Sequence, residues 1–92
     1  MDLRVEDFEG SVGDAYELLT EADAVPVTLE TVQALPPSPR PAGAFRLEWR
    51  GPREPILPQA TYGFRRDGRT VEMFVVPVAR DERGTLYEAI FN

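Results

Sequence analysis

Apolar and polar residues alternate with a period of two along most of the chain after residue 14, which predicts strands. The clearest case is 45–50 (FRLEWR), where every second side chain is apolar and the others are charged. That pattern is typical of a strand with one face in the core and the other in water. Similar alternation predicts further strands at 15–20, 25–35, 59–66 and 86–91.

Residues 70–79 (TVEMFVVPVA) differ because apolar side chains occupy both faces of the predicted strand. Such a pattern is typical of a strand covered on both sides, and we expect both faces to be buried. Pro77 predicts a sheet edge or a bulge there, since proline donates no ladder hydrogen bond. Val32 and Leu35 do not keep the phase of 25–29, which predicts a bulge or a strand end.

Short segments between these strands predict the remaining elements. Residues 4–9 are expected to form one helical turn that Gly10 ends, with Phe8 among its apolar contacts. Asp67 and Gly68 predict a type I′ hairpin, whose two central residues need a positive φ. Residues 36–43 (PPSPRPAG) are too rich in proline for a central strand and are expected to form an exposed loop.

These elements together predict an all-β fold. We expect a small barrel or sandwich of about six mostly antiparallel strands, with a short N-terminal helical turn and a C-terminal three-strand meander. Residues 1–92 are expected to form a single small β domain. Residues 87–91 alternate, so we expect the chain to end in a paired strand. Because no signal peptide or membrane-length apolar stretch is visible, a cytoplasmic location without membrane contact is expected.

The charged residues are distributed unevenly along the chain. Residues 1–35 contain nine acidic residues and one arginine, whereas 36–92 contain nine arginines and seven acidic residues. The absence of lysine fits either the codon bias of a GC-rich genome or a need for guanidinium groups that bind carboxylates or phosphates. An acidic N-terminal surface that includes Glu17, Glu21 and Asp23 would steer a basic partner protein.

The missing residue types limit the chemistry. The sequence has no histidine, cysteine or lysine, so it offers no imidazole base, thiolate nucleophile or Schiff base, and we predict no cofactor and no metal site. Glu48, Glu72 and Glu88 would act as general acids if they lined a cavity. The simpler interpretation places each on a solvated face or beside an arginine on a neighbouring strand.

Arginines interleaved with aromatic residues are the second chemical candidate, since together they bind single-stranded nucleic acid. The alternation in 45–50 places its aromatic and arginine side chains on opposite faces, however, and a stacking platform needs both on one. The net charge of −6 also opposes nucleic-acid binding. The residues concerned are Arg46, Arg50, Arg65, Arg66 and Arg69, with Trp49, Tyr62 and Phe64.

Four segments resemble a family of short bacterial proteins of unknown function. In chain order they are FRLEWRGP (45–52), LPQATY (57–62), MFVVPV (73–78) and YEAIFN (87–92), and residues 7–18 fit the opening of the same pattern. The chain departs from the pattern at Ala60, where the family usually has glycine. The resemblance implies a small free-standing β protein and supplies no catalytic residue.

Three functions are consistent with the sequence. The leading hypothesis is a non-enzymatic interaction or assembly module that binds another protein or itself. The first alternative is a small-molecule-binding barrel. One form of this alternative is a lyase or isomerase that uses Glu48, Glu72 or Glu88. The second alternative, single-stranded nucleic-acid binding, is disfavoured by the acidic net charge.

Overall fold

A computed structural model of the protein describes residues 3–37 and 39–92. One helical turn, α1 (Glu6–Glu9), precedes β1 (Ala15–Leu19), β2 (Ala24–Ala34), β3 (Phe45–Gly51), β4 (Ala60–Arg66), β5 (Arg69–Asp81) and β6 (Gly84–Phe91). The strands form a closed antiparallel barrel in the order β1-β2-β3-β6-β5-β4. The predicted all-β fold is therefore confirmed as a barrel, and β4, β5 and β6 are the predicted C-terminal meander.

The barrel interior is filled by apolar side chains from alternate positions of the strands. On β3, Phe45, Leu47 and Trp49 are fully buried, as the alternation in that segment predicts. The Trp49 ring lies 4.8 Å from the ring of Tyr16 and 4.7 Å from that of Phe64, measured between centroids. The core therefore joins side chains from both halves of the chain.

The prediction that β5 is covered on both faces is wrong. Its inward side chains Met73 and Val75 are buried, but Phe74 is 55% and Val78 47% exposed. A closed barrel has a single interior, and no element in the described part of the chain covers this part of its outer surface. The outward apolar side chains of β5 therefore lie in solvent.

The predicted irregularities of the strands are confirmed. The β2–β3 register shifts between Leu29 and Thr31, and the β5–β6 register shifts between Pro77 and Ala79. Asp67 has φ 52° and the glycine after it has φ 78°, as a type I′ hairpin requires. The bulges bend β2 and β5, so each strand pairs with one neighbour at its start and another at its end.

The two meanders β1–β2–β3 and β4–β5–β6 are related by a pseudo-twofold axis. An antiparallel ladder between equivalent strands is what a twofold axis produces. The β1–β4 ladder centres on Leu18 opposite Phe64, and the β3–β6 ladder centres on Glu48 opposite Glu88. The axis therefore passes through the middle of both ladders.

The register of the β1–β2 and β4–β5 ladders follows the same relation. Leu18 and Phe64 are 46 positions apart, and the same offset relates β2 to the first part of β5. Ala15 opposite Thr28 on β1 and β2 thus corresponds to Thr61 opposite Phe74 on β4 and β5. The chain contains a structural repeat that its sequence does not display.

Each end of the barrel is closed by the segment that precedes a meander. At one end α1 inserts Phe8, whose ring lies 6.0 Å from that of Phe45. At the other end the connection 52–59 crosses the barrel, and the Leu57 N–H donates to the Tyr87 hydroxyl at 2.9 Å. The two ends of the barrel are therefore covered by the segments that precede β1 and β4.

Candidate interaction surface

Ion pairs between the two halves of the chain account for much of its uneven charge. Because β1 lies beside β4 and β2 beside β3, acidic residues from the first 35 positions meet arginines from the rest. The acidic half therefore does not form one continuous acidic surface. The four pairs are Asp14–Arg66 (2.8 Å), Glu17–Arg65 (2.9 Å), Glu30–Arg50 (2.8 Å) and Glu30–Arg83 (3.1 Å).

The three predicted partner-binding residues lie in two different settings. Glu17 is on β1 and its carboxylate is held by Arg65 on the adjacent strand β4. Glu21 and Asp23 lie in the turn between β1 and β2, where both are exposed. The Thr20 hydroxyl accepts the Asp23 N–H at 2.9 Å and orders this turn. The structure thus groups Glu21 with Asp23 and separates Glu17 from them.

The positions of Glu48, Glu72 and Glu88 agree with the simpler interpretation of the sequence, a solvated face or an arginine partner, and not with a shared cavity. Each of the three follows or precedes a buried residue, Leu47, Met73 or Tyr87, whose side chain points into the barrel. Because side chains alternate along a strand, the three glutamates point outward. Glu72 is exposed on β5 and makes no ion pair within residues 3–37 and 39–92. The three carboxylates therefore share no pocket that would support acid–base chemistry.

Arg46 holds the other two carboxylates together on the outer face. Its guanidinium lies 2.6 Å from Glu48 and 2.8 Å from Glu88, measured from nitrogen to carboxylate oxygen. The hydrogen bond to Glu88 raises the Arg46 pKa above its usual value, against the opposing effect of desolvation. This cluster of one arginine and two glutamates carries a net charge of −1, and both carboxylates are bound to the arginine, which is typical of a structural ion pair.

A second cluster joins β2, β3 and the β5–β6 turn. Arg50 donates two hydrogen bonds to the Glu30 carboxylate, at 2.8 and 3.2 Å, and Arg83 adds a third at 3.1 Å. The Arg50 hydrogen bond lowers the Glu30 pKa below its usual value of 4.5, although partial burial acts in the opposite direction. Glu30 is the bulge residue of β2, so this network fixes the bend of that strand.

The arginines and aromatic residues predicted as a nucleic-acid surface lie on different surfaces. Trp49 and Phe64 are buried in the core, whereas Arg46 and Arg50 lie outside and are held by carboxylates. The indole N–H of Trp49 has no hydrogen-bond partner in the described part of the chain. No stacking platform is formed by this set.

An open groove of about 1040 Å³ lies at the barrel end that α1 closes. Phe8, Tyr16 and Phe64 contribute its apolar lining. The Arg66 guanidinium lies over the Tyr16 ring, 5.3 Å from its centroid, and also pairs with Asp14. The Arg66 cation beside the groove is therefore already neutralised by the protein.

The outer faces of β5 and β6 carry a surface that the sequence analysis missed. Phe74, Val78 and Ile90 are 55%, 47% and 50% exposed, and Val76 between them is half-buried. Val76 lies opposite Glu88 in the ladder, and Ile90 is the next outward residue on β6. We call Phe74, Val76, Val78 and Ile90 the outer patch. The sequence signal for this patch was the presence of apolar residues on both faces of 70–79, which the sequence analysis interpreted as a strand covered on both sides.

An unpaired strand edge adjoins the outer patch. β4 pairs with β5 from Arg69 to Val75, whereas β6 pairs with β5 only from Val76 onward. The side of Arg69–Val75 that faces away from β4 therefore has no ladder partner among the described residues. Such an edge presents N–H and C=O groups to which another strand can bind.

The hairpin identifies which residues present those groups. A two-residue turn at Asp67 and Gly68 closes on a hydrogen-bonded pair, so Arg69 bonds to β4. Peptide groups alternate between the two sides of a strand, so Thr70, Glu72 and Phe74 face away from β4. Their side chains are all exposed. We call these three residues the open edge.

Comparison with known proteins identifies the family. The family model described as "Domain of unknown function (DUF6916)" matches residues 3–91. The chain belongs to this family. This agrees with the resemblance to a family of unknown function found in the sequence, and it assigns no activity to DUF6916.

The two other comparisons with known proteins give no match. No curated protein and no solved structure matches the chain. In the described part of the chain no helix is long and apolar enough to cross a membrane. Over the same residues, no group of three or more acidic side chains is arranged to hold a metal ion.

Proposed function

We propose that this protein is a non-enzymatic protein-interaction or assembly module and that the outer patch is its contact surface. The observation that carries this proposal is the grouping of Phe74, Val78 and Ile90, each about half exposed, on two neighbouring strands. Single exposed apolar residues are normal on soluble proteins, whereas contiguous exposed apolar surface is typical of interaction sites.

The residue types available support a role without catalysis. Carboxylates are the main acid–base groups that the sequence retains, and the three candidates among them lie on the outer face of a filled barrel. Glu48 and Glu88 are further engaged by Arg46. A lyase or isomerase site built on these three carboxylates therefore has no observation in its favour. A cytoplasmic location belongs to the same proposal and is tested by cell fractionation.

The exposed acids of the β1–β2 turn are a secondary contact in this proposal. Glu21 and Asp23 lie at one end of the barrel and would steer a partner with a basic surface. Replacing both with the amides is expected to slow association and weaken its salt dependence. An association rate that stays unchanged would remove these two residues from the contact.

Site-specific photo-crosslinking in the source organism tests the contact surface. A photoreactive phenylalanine analogue is placed at Phe74, at Ile90 or, as the control, at Val12, which is 53% exposed in the turn before β1. Because only the first two positions belong to the outer patch, we expect the same crosslinked product from both and none from Val12. Products from all three positions, or none from any, would contradict the proposal.

A further inference from the structure

We infer that the open edge of β5 binds an extended, mainly apolar segment of a partner protein, which carries a basic residue opposite Glu72 and adds a strand to the barrel. This inference rests on the proposed function, since it names how a partner binds beside the outer patch. Strand addition gains affinity from main-chain hydrogen bonds and specificity from alternate side chains.

The backbone of the open edge supplies the hydrogen-bonding groups. Thr70, Glu72 and Phe74 each direct an N–H and a C=O to the side of β5 where no strand lies, as the hairpin register shows. No loop backbone among residues 3–37 and 39–92 donates to or accepts from these three residues. An added strand running from the β4–β5 hairpin to Val76 would pair with all three.

The pseudo-twofold counterpart of this edge is protected, which shows that the open edge of β5 is not simply imposed by the fold. The equivalent strand is the start of β2, where Pro26 occupies the position that corresponds to Glu72. Leu29 exchanges hydrogen bonds with Gly13 and Asp14 on the β1 side, so Pro26 faces the other edge by alternation. Proline has no N–H to offer there and blunts the edge of β2. Glu72 leaves its N–H available on β5.

The side chains around the open edge specify the partner's chemistry. Glu72 is exposed and has no ion pair among the described residues, and Phe74 next to it is exposed and apolar. Across the gap, β6 presents Ile90 beside the Glu88 carboxylate that Arg46 already holds. An incoming strand therefore meets apolar surface and one uncompensated negative charge, and a lysine or arginine opposite Glu72 complements that charge.

The same charges argue against a second copy as the occupant. Antiparallel pairing of two open edges about their middle would place Glu72 opposite Glu72, and like charges directly opposite are destabilising. Each chain also carries a net charge of −6, so two copies repel. A segment of a different protein with basic character avoids both the Glu72–Glu72 repulsion and the repulsion between two acidic chains.

A peptide titration followed by amide hydrogen exchange tests this inference. The probe is a capped heptapeptide with valine at odd positions, threonine at the second and sixth, and lysine at the centre. We expect slower exchange at Thr70, Glu72 and Phe74 and unchanged exchange at Val71 and Met73, whose amides already bond to β4. If the peptide slowed exchange at none of these amides, or slowed it equally in the open-edge residues and in Val71 and Met73, strand addition would be overturned.

Two variants separate the charge from the backbone. Glu72→Gln is expected to weaken binding of the lysine peptide about two- to fivefold, the effect of one exposed ion pair. Glu82→Gln, in the β5–β6 turn, removes an exposed charge remote from the edge and should leave the affinity unchanged. Exchanging the central lysine of the peptide for glutamate should weaken binding to the natural protein and not to Glu72→Gln. If the natural protein bound the lysine and glutamate peptides with equal affinity, the assignment of a basic partner residue opposite Glu72 would be wrong.

Glu72→Pro tests the backbone contact itself. Pro26 shows that the equivalent strand position accepts proline, so the variant is expected to fold with an unchanged circular dichroism spectrum and to lose peptide binding. Should it fail to fold, a peptide N-methylated on the edge that faces β5 provides the same test on the natural protein. Binding that survives N-methylation would overturn strand addition.

The outcomes distinguish this inference from the proposed function. Crosslinking from Phe74 and Ile90 without protection of the open-edge amides would keep the interaction surface and reject the added strand. Protection of these amides in the protein alone, with a dimer in sedimentation equilibrium, would show that a second copy occupies the edge and would overturn the heterologous partner.

Discussion

Glu48 and Glu88 lie directly opposite each other at the centre of the β3–β6 ladder, and a single guanidinium, that of Arg46, bonds to both carboxylates. Opposed like charges destabilise a sheet, and a shared cation removes the repulsion. Because the pseudo-twofold axis passes through this pair, the equivalent position in each half is a glutamate, and one arginine serves both.

Arg46→Met is therefore expected to lower the free energy of unfolding by about 1 kcal/mol, since it leaves two carboxylates facing each other without a cation. Urea denaturation measures the change. Adding Glu88→Gln to this variant should recover part of the loss, because only one charge then remains. A double variant that is less stable than the sum of its parts would contradict this account.

The Glu30–Arg50 pair predicts a loss of stability in acid. The Glu30 pKa is lowered in the folded protein, so the pair stabilises the fold above the unfolded-state pKa and loses that contribution as pH falls through the folded value. Urea midpoints from pH 7 down to about pH 3 should fall less for Glu30→Gln than for the natural protein. A urea midpoint that falls as much in Glu30→Gln as in the natural protein would contradict this account.

Gly84 is predicted to tolerate no side chain. Its φ is 124°, and a Cβ would lie 2.0 Å from the carbonyl oxygen of Gly51 on β3. Gly84→Ala should cost about 4 kcal/mol or more or prevent folding, because backbone must move. Gly10→Ala, where nothing lies within 4 Å, should change the thermal midpoint little. Similar midpoints for the two variants would show that the β5–β6 turn is more adaptable than this contact allows.

Phe8 lies in a four-residue helix and is nevertheless part of the core, so its loss is predicted to destabilise the protein. It is only 3% exposed and contacts the rings of Phe45 and Trp49. Phe8→Ala is expected to lower the free energy of unfolding by about 3–5 kcal/mol, a large share of the stability of a small domain. Val12→Ala, at an exposed position, should change it by less than about 0.5 kcal/mol. If Phe8→Ala changed the free energy of unfolding only slightly, the packing of α1 against the barrel would not stabilise the fold.

Local patterns in the sequence predicted most of the fold. Alternation in 45–50 placed Trp49 inside and Arg46 outside, and Asp67 with Gly68 predicted the hairpin turn that the structure contains. These predictions succeed because side-chain period and turn chemistry act over a few residues. The bulges were predicted for the same reason, from a lost phase and from Pro77.

The candidate surface depends on long-range pairing, and the sequence predicted it poorly. The exposed Phe74 was assigned to a buried face, because an apolar pattern does not reveal whether a second layer exists. The Glu88 carboxylate gains its partner Arg46 only when β3 pairs with β6. The 46-position repeat also escaped notice, because it preserves inward apolar character and strand register more than residue identity.

A barrel whose two halves share the order of their strands and the register of their first ladders is the expected product of gene duplication and fusion. Its ancestor would be a homodimer of a short three-stranded chain, with two identical strand edges exposed to solvent. Fusion would end the requirement that both edges share one sequence, so a proline could enter one copy, at Pro26, and leave a glutamate in the other, at Glu72. In evolutionary terms, such a repeat lets each half accumulate substitutions that its sister does not share.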